Sequence, residues 1–399
     1  MKLGTSSLVV AAFVGPGTVL TCASAGVRFG YELGWVLLFA TAAAFVLQSL
    51  TAATGILARK GLGEALRETA RTPVQRGVLF GLVVLGLWVG CAAFEMGNLI
   101  GAASGLHAVF EPELDLRWIV AGLGLVAGLL LLLEVQALIR ALAGLVALMS
   151  LLFLATLVLA PVDWGAALAG LVVPRLPEGS LLTVVALIGT TIVTYNLFLH
   201  ASAAKRYWAT EPTQTAWRQE LRGMALFIPL GGLISFAILA AGATLAGTGA
   251  EASRVADFAV LLEPVAGPAA RYLFGAGLLA AGLTSAVTAP LAAASGIREL
   301  FGWPDRRDDP RARLVWASVL LTGLFFGLSG VSPLPAIIAA QAANGLLLPF
   351  IAAFVLLLAA RRHPHALPRW YVLAGVLVTL ICAALGLRTL WWVWTNLGV

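Results

Sequence analysis

The sequence predicts an all-α integral membrane protein with about eleven transmembrane helices. Composition, the spacing of apolar runs and the placement of basic residues carry that prediction. Of 399 residues, 60% are hydrophobic and only 11% charged, against about 25% charged in soluble domains. A soluble protein of this length could not enclose so much apolar side chain. The same figures exclude disordered, collagen-like and coiled-coil chains. Cys22, Cys91 and Cys382 sit singly in apolar runs without CxxC spacing, so neither a disulfide framework nor a zinc site is expected.

A helix needs about 20 apolar residues to cross a bilayer. Apolar runs between charged punctuation place spans at 8–25, 34–57, 78–106, 117–133, 141–161, 181–203, 223–246, 267–297, 314–330, 333–359 and 370–394. The first follows Lys2 and reaches Ala23-Ser24-Ala25, a pattern that mimics a cleaved leader. Gly15-Pro16-Gly17 interrupts its apolar core and further spans follow directly, so it is read as a retained span. In the eighth, Gly275, Gly277, Ala280 and Ala281 form stripes suited to close helix packing. The eleventh ends at Arg388, Trp391, Trp392 and Trp394, the signature of a membrane interface. The longest polar segments, 58–77 and 205–222, are loops too short for a soluble domain.

With the N-terminus inside, nineteen of the 25 Lys and Arg residues fall on the inner side. Only Arg28, Arg117, Arg175, Arg254, Arg271 and Arg388 fall outside. That asymmetry sets a cytoplasmic N-terminus and an external C-terminus in the plasma (inner) membrane. It also accounts for the net charge of +6 without a nucleic-acid partner.

Two spans carry breakers or polar clusters at membrane depth. In the first, Gly15-Pro16-Gly17-Thr18 predicts an unwound stretch between half-helices, with Pro16 and Gly17 as the break. In the sixth, Gly189-Thr190-Thr191-Ile192-Val193-Thr194-Tyr195-Asn196 is a second interruption, running on to His200. Irregular backbone survives at this depth only within protein or along a water-filled cavity. Interrupted spans at matching positions of two halves point to a secondary transporter built on inverted repeats. Residues 1–170 and 171–360 are the expected halves, and 361–399 an added C-terminal span.

These residues resemble the Nramp divalent-metal transporters over most of the chain. Gly15-Pro16-Gly17-Thr18 stands where that family has Asp-Pro-Gly-Asn, and 190–200 where it has a stretch ending Met-Pro-His-Asn-Leu-Tyr-Leu-His. Leu278–Ser285 and Gln341–Pro349 resemble its eighth and tenth spans. The resemblance implies a LeuT-type 5+5 inverted repeat with spans 1 and 6 broken. It also implies an ion site at Gly15, Thr18, Val193 and the carbonyl of Thr190, with Thr194, Tyr195 and Asn196 beside it and Gln341 near the ion path. The family's carboxylate and thioether are absent here, at Gly15 and Val193. Hydroxyl, carbonyl and amide oxygens at Thr18, Thr190 and Gln341 suit a hard or partly hydrated ion such as Mg²⁺ or Mn²⁺.

Glu95 is the one acid that the expected boundaries put clearly within a span. It stands where the family has an Asp, and Asn98 where it has a Glu. An intramembrane carboxylate is costly and so marks a functional candidate. Glu95, Asn98 and His200 form the expected proton or coupling pathway, with His200 one turn beyond Asn196 on the same helix face. The alternative cargo is a small organic solute or amino acid, held by its carboxylate at a half-helix N-terminus. No enzyme is expected, because no nucleophile–base cluster lies at membrane depth. The expected partners are the transported cation or solute, protons and the lipid bilayer, with the chain a monomer and without a cofactor.

Overall fold

The computed structural model describes residues 5, 14–110, 114–133, 136–247, 254–306, 309–362 and 369–397, and among these every regular element is helical. The first half holds α1 (Pro16–Phe29), α2 (Gly34–Leu57), α3 (Leu62–Thr69), α4 (Pro73–Phe110), α5 (Leu116–Leu133), α6 (Gln136–Leu159) and α7 (Trp164–Val172). The second holds α8 (Leu181–Thr191), α9 (Thr194–Tyr207), α10 (Thr213–Ala243), α11 (Glu263–Ala266), α12 (Ala270–Phe301), α13 (Pro310–Gly327), α14 (Pro333–Arg362) and α15 (Arg369–Leu397). Nine segments among the described residues are long and apolar enough to cross a membrane. The two other expected spans are α1, of which 14 residues are described, and α13, with 18. Positions 8–13 of the first span lie outside the described residues, as do Lys2 and Arg307.

Local chemistry sets the shorter elements. Asp163 begins α7 by accepting the Ala166 N–H at 3.0 Å. Asp309 does the same for Arg311 at 2.9 Å, with Pro310 at the first helical position of α13. Segment 58–77, expected as loop, contains α3, whose Glu64 accepts the Gly61 N–H at 3.0 Å.

The largest boundary correction is at 205–222. Helix α10 starts at Thr213 rather than near 223, and it carries Glu220 into the interior with no exposed surface. Ala216, Glu220, Gly223 and Met224 repeat at helical spacing and are all buried, while Arg218 and Arg222 face outward. Averaged hydropathy hid that stripe.

Helices α5, α6, α13 and α15 turn large apolar side chains outward, among them Leu125, Leu151, Phe325 and Leu380, as a lipid-facing surface requires. Inside that ring, α1, α4, α8, α12 and α14 pack closely. Small residues make this possible. A Cβ on Gly105 of α4 would lie 2.6 Å from the Gly275 carbonyl oxygen of α12, and a Cβ on Gly275 would lie 2.7 Å from that of Gly105.

Candidate functional site

The start of α1 meets the break between α8 and α9 beside α14. Gly15 precedes α1 in extended conformation, and Pro16, Gly17 and Thr18 form its first turn. Proline lacks an N–H that nothing would bond at the first helical position, so Pro16 suits the start of α1 after the non-helical Gly15; residues 6–13, where the preceding half-helix is expected, lie outside the described residues. The second break is narrower than expected, confined to Ile192 and Val193. Gly189 and Thr190 end α8, while Thr194, Tyr195 and Asn196 begin α9. The run Thr190–Thr194 is β-branched throughout, which lowers helix propensity at this point.

Asn344 of α14 holds the break. Its Nδ2 donates to the carbonyls of Gly189 at 2.6 Å and Ile192 at 3.1 Å. Its Oδ1 accepts from the Thr194 N–H at 3.3 Å and the Thr194 hydroxyl at 2.8 Å. One amide therefore satisfies groups on both sides of the interruption, as buried backbone requires. In the sequence, Asn344 is simply a second neutral amide one turn from Gln341.

Across the break, the hydroxyls of Thr18 and Thr190 lie 2.7 Å apart and share a hydrogen bond. This contact joins the first turn of α1 to the last turn of α8, both at sites expected to face an ion. The Gln341 side chain lies over Gly17, and among the described residues its Oε1 has no hydrogen-bond partner. The same holds for the buried Thr21 hydroxyl, one turn beyond Thr18, and for the Asn196 amide Nδ2. Gly15 faces Ser285 of α12, and Val193 is buried at the break. The centre is thus lined by hydroxyl and amide groups, with no carboxylate among the expected ligands. Among the described residues, no group of three or more His, Cys, Asp or Glu side chains could hold a metal.

Two glycines here predict opposite outcomes. A Cβ on Gly17 would fall 2.0 Å from the Gln341 Nε2, the far end of a flexible side chain. Gly17→Ala should therefore swing Gln341 away, weakening substrate binding with little change in melting temperature. A Cβ on Gly189 would fall 2.0 Å from the Gln341 carbonyl oxygen and 2.7 Å from the Gly345 nitrogen, both backbone. Gly189→Ala should lower stability by about 2 kcal/mol or more, read by thermal unfolding in detergent.

Glu95 lies on α4 with no exposed surface, and its carboxyl oxygens form no well-aligned hydrogen bond among the described residues, although Asn98 is within reach. Gly323 of α13 packs on its aliphatic stem, and neighbouring Phe94 meets the Tyr195 ring edge-on at 5.8 Å. Asn98, three residues on, faces that carboxyl, and its Nδ2 makes no other hydrogen bond among the described residues. An anionic carboxylate in such a place needs a countercharge, either a proton or a passing cation.

His200 has both ring nitrogens engaged. Nδ1 meets Gln48 Oε1 at 2.6 Å, and Nε2 meets Glu220 Oε1 at 3.0 Å. Glu220 also accepts from the Trp208 indole at 2.6 Å and from Thr5, at 3.1 Å from its N–H and 2.9 Å from its hydroxyl. Glu95 and Glu220 are equally buried, but Glu95 has Asn98 beside it whereas Glu220 accepts from three residues. Asn196 and His200 share a helix but belong to different surroundings.

Nearby, Lys205 donates to both oxygens of Glu64 at 2.8 and 2.7 Å, tying α9 to α3. Burial raises the Glu64 carboxyl, but Lys205 and the Gly61 N–H outweigh it and hold the group below its ordinary value. A lowered carboxylate stabilises the fold at neutral pH and loses that contribution as the pH falls through the lowered value. The melting temperatures of wild type and Glu64→Gln should therefore differ near pH 7 and converge in acid.

Comparison with known proteins adds independent findings. A family model described as natural resistance-associated macrophage protein-like matches residues 6–392. The divalent metal cation transporter MntH of Verminephrobacter eiseniae is 31% identical over 304 residues, covering 72% of this chain and 66% of that protein. MntH of Yersinia pestis is 28% identical over 300 residues, covering 73% and 70%. The chain thus spans just under two thirds of the first of these relatives. Among solved structures, the manganese transporter of Eremococcus coleocola matches with a TM-score of 0.73 and 21% identity, covering 97% of this chain and 85% of that one. Mhp1, a nucleobase-cation-symport-1 family transporter, matches with a TM-score of 0.61 and 14% identity over 98% of this chain and 92% of that one. At these identities the likeness shows the fold, which is the LeuT-like architecture expected from the sequence.

Proposed function

This chain belongs to the natural resistance-associated macrophage protein-like (Nramp) family, and from that premise we propose that it carries a divalent metal cation across the membrane by alternating access. The observation that supports this reading is the meeting of two helix ends at Thr18 and Thr190, with the Gln341 side chain against neighbouring Gly17 and its Oε1 unpartnered among the described residues. Hydroxyl and amide oxygens with no carboxylate or thioether favour a hard ion that keeps part of its water shell, such as Mg²⁺ or Mn²⁺. Thr18, Thr190 and Gln341 are the protein ligands in this reading. Gly15, Val193, Thr194, Tyr195 and Asn196 shape the cavity around the ion.

The direct test is uptake into proteoliposomes. Mg²⁺ or Mn²⁺ should accumulate, and Thr18→Ala with Thr190→Ala should cut uptake by about tenfold or more. An organic solute or amino acid remains the competing cargo; the two MntH relatives are named for divalent metal cations and favour the metal.

In the same proposal, Glu95 takes up and releases the coupling proton, with Asn98 beside it. His200 and Glu220 connect the inner ends of α9 and α10 to that path. Residues 1–170 and 171–360 act as the inverted halves and 361–399 as an added span. The Lys and Arg asymmetry orients the N-terminus to the cytoplasm and the C-terminus outside. The chain works as a monomer.

A further inference from the structure

A cavity of about 610 Å³ lies at the end of the bundle that the basic-residue asymmetry assigns to the outside. Arg28 at the end of α1 and Arg388 on α15 both line it, as do Trp391, Trp392 and the segment from Leu176 to Thr183. It is separate from the ion site. Thr183 and Thr190 stand at opposite ends of α8, and seven residues of helix span about 10 Å.

Its chemistry is that of an anion site. Glu178 is the one acid in the wall, against two guanidinium groups. Neither Arg28 nor Arg388 forms an ion pair among the described residues, whereas Arg254 pairs with Asp257 at 3.1 Å and Arg271 donates to the carbonyl of Val109 at 3.3 Å. The N-terminus of α8 forms part of the same wall through Leu181, Leu182 and Thr183, whose N–H groups precede the first intrahelical bond. Ser180, which precedes them, makes no capping bond. Its hydroxyl is unpartnered among the described residues, and the residue is only 1% exposed. An uncapped helix start with positive partial charge, two unpaired guanidinium groups and a spare hydroxyl together suit a phosphate group. The same charges repel a divalent cation, so this cavity does not serve as its vestibule.

We propose that this cavity binds a phosphate anion, clasped between Arg28 and Arg388 and seated on the N-terminus of α8. The tryptophans beside it put the site at interfacial depth, where a phospholipid headgroup supplies that chemistry, and free phosphate supplies it from solution. Native mass spectrometry of the full chain from nanodiscs of phosphatidylcholine doped with phosphatidylglycerol separates the two sources when paired with a thermal-shift titration using inorganic phosphate.

In the wild type, phosphatidylglycerol should be retained in preference to phosphatidylcholine, or inorganic phosphate should raise the melting temperature. Either effect should weaken by about tenfold or more in Arg28→Gln/Arg388→Gln and persist in large part in Arg28→Lys/Arg388→Lys. Metal uptake should be unchanged in both variants, because neither arginine touches the ion site. Wild type that retains neither ligand, or equal retention in the glutamine variant, overturns the proposal.

Discussion

Asn344→Ala is expected to abolish transport and to lower stability by about 3–5 kcal/mol. The substitution removes two bonds to the Gly189 and Ile192 carbonyls and two from the Thr194 N–H and hydroxyl. Four polar groups are then left at membrane depth without water to take them, each costing about 1–3 kcal/mol before relaxation. Asn344→Asp separates the two halves of the clamp. It keeps an acceptor for Thr194 but loses the donor for both carbonyls, so its stability should fall between alanine and wild type. Denaturant unfolding in detergent together with uptake in proteoliposomes reads both effects. An alanine variant that loses less than about 1 kcal/mol and still transports would mean that the α8–α9 break holds its shape without α14.

The second large effect is expected at Glu95. Glu95→Gln keeps the volume and removes the charge, so uptake should lose its dependence on pH. Metal binding measured without a gradient should stay within about twofold, because Glu95 packs against Gly323 of α13 and is not one of the hydroxyl and amide ligands. Glu220→Gln should behave differently. That carboxylate is saturated by Thr5, His200 and Trp208, so its loss should appear first as reduced stability. Unchanged pH dependence in Glu95→Gln would remove Glu95 from the coupling path.

Much of this was legible in the sequence because it depends on local chemistry. Apolar runs bounded by charge mark spans whatever packs against them, and the β-branched run at 190–194 cannot sustain a helix comfortably. Pro16 likewise marks a local event, the start of α1 directly after the extended Gly15. Glu220 was missed. Arg218 and Arg222 flank it in sequence but face away from it in the helix, so a linear average read the whole segment as loop.

The pairing of residues was not legible at all. Gln341 and Asn344 are both amides one turn apart on α14, with nothing in their spacing to separate their tasks. The fold gives them different neighbours: Asn344 meets the open backbone of span 6 and is saturated, while Gln341 meets Gly17, which has no side chain to engage it. Likewise, nothing in the sequence distinguishes the surroundings of Glu95 and His200, which differ sharply: the carboxyl on α4 has Asn98 within reach, and the imidazole on α9 is bonded at both nitrogens.

A centre of neutral oxygens should bind a hard divalent cation. Calorimetric titration of the purified chain with Mg²⁺, Mn²⁺ and Cd²⁺, and with a panel of amino and carboxylic acids, is the decisive experiment. Saturable heat is expected with Mg²⁺ or Mn²⁺, weakened in Thr18→Ala/Thr190→Ala, with no advantage for thiophilic Cd²⁺ now that the thioether position is Val193. Heat from amino or carboxylic acids alone, with none from any metal, would contradict it.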